Sequence, residues 1–133
     1  MIEGKVLVLD DEAIVRISCK RVLEAEGYNV SVASSVKEAV TLLEKEHYAL
    51  VITDLLMPDV DGLEFLEIIK YRWPSLRAIV MTGYGTQEVR QKSLALGALE
   101  FLKKPFLPEE LISVVMAAGN ARTDSYDDDY TRI

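Results

Sequence analysis

The chain has 133 residues, half of them hydrophobic, enough for one well-buried core and too few for two. Its 22 acidic against 15 basic residues leave a formal charge of -7, which disfavours direct binding to nucleic acid or anionic lipid and favours a cation or a basic protein surface. A single cysteine, Cys19, excludes an internal disulfide, no Cys/His cluster offers a zinc site, and no signal-peptide core or membrane-length apolar run occurs, so the expected location is the cytoplasm.

Apolar strand segments are predicted at Val6 to Leu9, Val30 to Ala33, Leu50 to Ile52, Ala78 to Met81 and Leu99 to Leu102, each followed by a stretch with helical spacing. Such alternation predicts an α/β fold: one doubly wound, five-stranded parallel sheet flanked by five helices. In the first helix Val15, Cys19, Val22 and Leu23 share a face, Gly27 suits its end, and Cys19 is expected in the core. Ser35 is placed to cap the second helix, with Glu38 as its capping-box partner. The charged stretch after that helix leaves His47 solvated. The third strand, "YALVI" from Tyr48, reads as buried on both faces and carries Asp54 at its top. In the loop "MPDVDG", Pro58 and Gly62 shape the backbone beside that acid. The third helix begins near Gly62, aligns Phe65, Leu66 and Ile69, and ends before Pro74, next to a packing residue, Trp73.

The fourth helix, after Thr86, offers only Val89, Ser93 and Leu96 for burial and is expected to be the least firmly held. The fifth opens with Pro108, Glu109 and Glu110 and buries Leu111, Val114, Val115 and Ala118. Past Gly119 the composition turns acidic and aperiodic. Residues 120–133 are therefore read as a disordered tail, and 1–119 as the folded domain.

In a parallel sheet with right-handed crossovers all strands end at one edge, where ligands usually bind. Strand one would bring Asp10 and Asp11 there, strand three Asp54, strand four Thr82, and strand five Lys103, Lys104 and Pro105. Each residue alone has an ordinary reading as a helix cap, turn former or solvated surface group. Together those readings require several coincidences at one edge. Two carboxylates about 4 Å apart repel by about 4 kcal/mol at an effective dielectric of roughly 20, which calls for a cation. All-oxygen ligands favour Mg²⁺. With the ion and Lys104 offsetting phosphoryl charge, a carboxylate can act as nucleophile, and Asp54 is the natural attacker.

These residues resemble the receiver domain of bacterial two-component response regulators. The segments "VLVLDDE", "VITDLLMPDVDG", "IVMTGYG" and "ALEFLKKPF" stand in that family's order and spacing, across essentially residues 4 to 119. The resemblance implies a flavodoxin-like fold of strand order 2-1-3-4-5 that takes phosphoryl from a sensor histidine kinase or phosphotransfer protein. It implies Asp54 as phosphoacceptor, with Asp11, Asp54 and the Leu56 carbonyl on Mg²⁺, for which Mn²⁺ can substitute, and Asp10 holding the ion through water. Lys104 would pair with the phosphoryl oxygens, Thr82 would follow them on activation, and Phe101 would be the aromatic switch. The signal would leave through the fourth helix, fifth strand and fifth helix, toward an output protein or domain, with a phosphorylation-dependent homodimer among the outcomes. The Lys104 to Pro105 peptide is implied to be cis. Leu56 and Tyr84 occupy positions where rapidly self-hydrolysing relatives carry polar groups, which implies slow dephosphorylation.

Two enzyme and cofactor readings fit less well. A haloacid dehalogenase-type phosphatase wants a second Asp two residues after its nucleophile, where this chain has Leu56 after Asp54 and Glu12 after Asp10. A flavodoxin needs a hydroxyl- and glycine-rich phosphate loop after strand one, where "DDEA" would repel phosphate. The reading is therefore of a signalling phosphoacceptor that promotes only its own phosphorylation and dephosphorylation.

Overall fold

Five short apolar segments pair into one parallel sheet: β1 (Lys5–Leu9), β2 (Asn29–Ala33), β3 (Tyr48–Asp54), β4 (Arg77–Thr82) and β5 (Glu100–Lys103), in the order β2-β1-β3-β4-β5. The computed structural model describes residues 4–56, 61–83 and 85–120. Between the strands run α1 (Ala13–Ala25), α2 (Val36–Lys45), α3 (Gly62–Arg72) and α4 (Gln87–Ala95), and α5 (Pro108–Asn120) follows β5. The expectations for the acidic tail beyond Asn120, for loop positions 57–60 and for Tyr84 lie outside the described residues.

The strands are apolar on both faces because both faces are covered. Val6 and Val8 of β1, Leu50 and Ile52 of β3, and Ile79 and Met81 of β4 pack with Cys19 and Leu23 of α1 and Leu111, Val115 and Ala118 of α5. The alternate residues Leu7, Leu9, Val51, Ala78 and Val80 pack with Val36, Ala39 and Leu43 of α2 and Phe65, Leu66 and Ile69 of α3. Period-two alternation thus splits each strand between two cores, which is why no polar alternation appears.

The helix signals hold with local differences. Ser35 Oγ accepts the Glu38 amide hydrogen at 3.1 Å, but the Glu38 carboxylate accepts from Ser34 N–H at 3.1 Å instead of reaching the cap residue itself. Asp61 caps α3 through the Leu63 amide, and Thr86 caps α4 through Val89. Val114 is half-buried, because only Leu111, Val115 and Ala118 of α5 lie squarely on the sheet. On α4 only Ser93 is fully buried, with Val89 and the C-cap residue Leu96 half-buried, matching its poor apolar stripe. His47 is exposed, and Trp73 packs half-buried under the Arg72 guanidinium, 4.4 Å from its ring centre. No helix among the described residues is long and apolar enough to cross a membrane.

Candidate functional site

The parallel register delivers the polar strand ends to one edge. Leu9 pairs with Thr53, Asp54 with Met81 and Thr82 with Lys103, so the residues after β1, at the top of β3 and β4, and after β5 become neighbours. β3 runs through Asp54, so the acid is the strand's last residue and is buried, as is Asp10 just past β1, whereas Asp11 is exposed. Carboxylate oxygens of Asp10, Asp11, Glu12 and Asp54 all lie within 4.8 Å of one another.

The Lys104 ammonium ties this cluster together. It donates to Asp10 Oδ2 at 2.6 Å and Asp54 Oδ2 at 2.7 Å, and lies 3.6 Å from Glu12 Oε1. The remaining oxygens are also used: Asp10 Oδ1 accepts from Glu12 N–H at 2.8 Å, and Asp54 Oδ1 from Leu56 N–H at 3.0 Å. Burial raises the Asp10 carboxyl above the usual aspartate range, and the Lys104 hydrogen bond offsets this only in part. Burial alone would lower the pKa of Lys104, but hydrogen bonds and charge from Asp10 and Asp54 outweigh it and raise it above the ordinary lysine value. Three of the four clustered carboxylates, those of Asp10, Asp54 and Glu12, thus lie within ion-pair distance of the Lys104 ammonium.

Asp11, Glu12, Asp54, Leu56, Thr82, Gly83 and Lys104 line an open cleft of about 230 Å³ above the cluster. Of the residues predicted for the site, Asp10, Asp11, Asp54, Leu56, Thr82 and Lys104 therefore come together. Phe101 stands apart from them on β5, half-buried, with its ring edge against Gly85: a Cβ added there would lie 3.0 Å from Phe101 Cε2. The Lys104–Pro105 peptide is cis, as the resemblance implies.

Sequence reasoning left two supports unassigned. Arg16 Nη1 donates to the Asp10 carbonyl at 2.8 Å, bracing the β1–α1 turn from one helical turn away. Glu12 stands at the N-cap of α1 without making a cap bond. The i to i+6 spacing of Asp10 and Arg16 is not a recognisable signal, and an exposed Glu beside two Asp reads as surface charge. Gly62 does what was expected of it: its amide donates to the Leu55 carbonyl at 3.1 Å, and a Cβ would fall 2.3 Å from Leu55 Cα, so only glycine lets α3 start this close behind Asp54.

Residues 6–116 match the response regulator receiver domain, and the chain belongs to that family. It is 36% identical over 115 residues to the sporulation initiation phosphotransferase F of Bacillus subtilis, covering 86% of this chain and 93% of that protein. It is 35% identical to a putative NtrX-like response regulator of Rickettsia typhi over 85% of this chain but only 24% of the relative. The chain thus spans about a quarter of the NtrX-like relatives it matches. Among solved structures, the CheY-like receiver domain protein of Methanospirillum hungatei superposes with a TM-score of 0.82 at 30% identity, covering 95% of this chain and 98% of that one. Family membership implies signalling by phosphorylation.

Proposed function

We propose that Asp54 accepts a phosphoryl group from the phosphohistidine of a sensor kinase or phosphotransfer protein, with Mg²⁺, and that this reshapes the α4–β5–α5 surface to regulate a partner or an output domain. The carrying observation is the Lys104 ammonium, 2.7 Å from Asp54 Oδ2 inside a surplus of carboxylates. The donor set fits the ion: all-oxygen, anionic, short of positive charge and open to a cleft that admits water. Asp11 and Asp54 with the Leu56 carbonyl would hold it and Asp10 would act through water. Once bound, it supplies positive charge to the phosphoryl oxygens.

In the transfer, an Asp54 carboxylate oxygen forms a bond to phosphorus as the phosphorus–nitrogen bond to the donor imidazole breaks. The electron pair leaves with the imidazole nitrogen, and the product is an aspartyl phosphate. Lys104, already beside the nucleophile, stabilises the accumulating charge. Thr82, buried at the end of β4, offers a hydroxyl that follows the phosphoryl group, and Phe101 responds to that movement. Leu56 at the cleft gives an attacking water no polar handle, which favours a long-lived adduct. Beside Lys104, Ile14, Val15, Pro105 and Phe106 line an apolar cleft of about 470 Å³, and Ile14 is 69% exposed, which gives a donor protein a surface to cover while it reaches Asp54.

Intact-mass analysis after acetyl phosphate treatment should show one phosphoryl adduct that requires Mg²⁺ or Mn²⁺ and disappears in Asp54→Asn. An adduct that survives either the substitution or chelation would reject the assignment.

A further inference from the structure

Glu12 has no role in the transfer as proposed above, yet its position is unusual. It is the N-cap residue of α1, where Ser, Thr, Asp or Asn ordinarily accept an amide hydrogen, and its side chain accepts none. Its own amide is held by Asp10 Oδ1 at 2.8 Å, which fixes the backbone at the rim of the acid cluster. The carboxylate lies 3.6 Å from the Lys104 ammonium and is 60% exposed, whereas the side chains of Asp10 and Asp54 are 0% and 7% exposed. One ammonium is thus shared between two inner acids and one outer acid.

Lys104 engages one oxygen of each inner acid, so a divalent cation at those acids must compete with a resident positive charge. The competition eases if the ammonium is drawn outward. Glu12 is the acid on the exposed side of Lys104, and the Lys104 side chain is long and flexible enough to be redistributed between the three carboxylates. We infer that Glu12 is a positioning residue: by taking a share of the Lys104 ammonium it frees the oxygens of Asp10 and Asp54 for a divalent cation. The inference rests on the Mg²⁺ reading of the site and assigns Glu12 no bond to the ion.

A double-mutant cycle read by calorimetric Mg²⁺ titration at fixed, near-physiological salt tests this. If Glu12 acts through Lys104, Glu12→Gln weakens Mg²⁺ binding in the parent at least about threefold more than it does in a Lys104→Met background, the scale expected of a partly exposed ion pair. If Glu12 acts only through its general field, or as a direct ligand, the fold-loss is the same in both backgrounds, and the inference is overturned. Glu12→Asp keeps the charge but shortens the reach, so it should weaken binding in the parent too. An Asp variant that matches the parent overturns the inference, and this arm decides alone if Lys104→Met does not fold. Equal losses leave the Mg²⁺ reading standing, whereas a parent that takes up no Mg²⁺ removes both.

Discussion

At the acid edge one ammonium serves Asp10, Asp54 and Glu12, so removing it leaves two buried carboxylates without a counter-charge. Lys104→Met should lower stability in chelator by roughly 2–4 kcal/mol, toward the lower part of the range for breaking buried pairs because Lys104 retains some exposure. Mg²⁺ should restore most of that loss. Urea denaturation of both proteins with and without the ion checks this, and a loss unchanged by Mg²⁺ would assign it to packing. Cys19 shows the same field from inside the core. Burial, reinforced by the charge of Asp10 and opposed by Lys104, pushes its thiol from 9.0 up to about 11. The folded protein therefore keeps the thiol protonated at pH 8, and Cys19 should react with a thiol reagent only in denaturant. Because the unfolded thiol ionises first, the contribution is complete below pH 9 and lost as pH rises toward 11, by about 3 kcal/mol at most. Stability profiles of the parent and Cys19→Ala should diverge in that window, and parallel profiles would remove Cys19 from the alkaline transition.

Among the helices α4 differs in kind. It has nine residues, one of them fully buried, and its start depends on an exposed Thr86 cap. α5 places Leu111, Val115 and Ala118 on the sheet, and α3 places Phe65, Leu66 and Ile69 there. Local opening follows apolar burial, so amide hydrogen exchange should be fastest in α4 among the five helices, ahead of α2, whose Ser35 cap is backed by three buried residues. Exchange as slow in α4 as in α3 would mean that contacts to β5 hold it, and that a poor stripe is no guide to mobility here. The prediction also bears on output: an element with little burial to lose is moved by a small differential binding free energy at the site.

For the whole molecule, a cation that binds the native cluster and not the unfolded chain must raise the melting temperature. At a hundredfold excess over Kd the gain is about 2.7 kcal/mol, or about 10 °C for a chain of this size. On the proposed Mg²⁺ site, Asp54→Asn would remove a ligand and relieve repulsion together, so it should melt above the parent in chelator and gain less from Mg²⁺. A lower-melting Asp54→Asn would show that the carboxylate's bonds to Lys104 and Leu56 outweigh the crowding. The fold behind these effects was legible in the sequence, because parallel strands covered on both faces must be continuous apolar runs, and each run is followed by a helix long enough to cross back. The candidate site was legible in part for the same reason: such a topology sends Asp10, Asp54, Thr82 and Lys104 to one edge regardless of detail. What only the tertiary structure decided is how those groups divide their contacts. That Asp10 is buried and Asp11 exposed, that Glu38 reaches Ser34, that Arg16 braces Asp10, and that Lys104 bridges acids 94 and 50 residues away all depend on side-chain direction and register. Those are set when the sheet closes, and a one-dimensional pattern of residue types carries periodicity and reach but not direction.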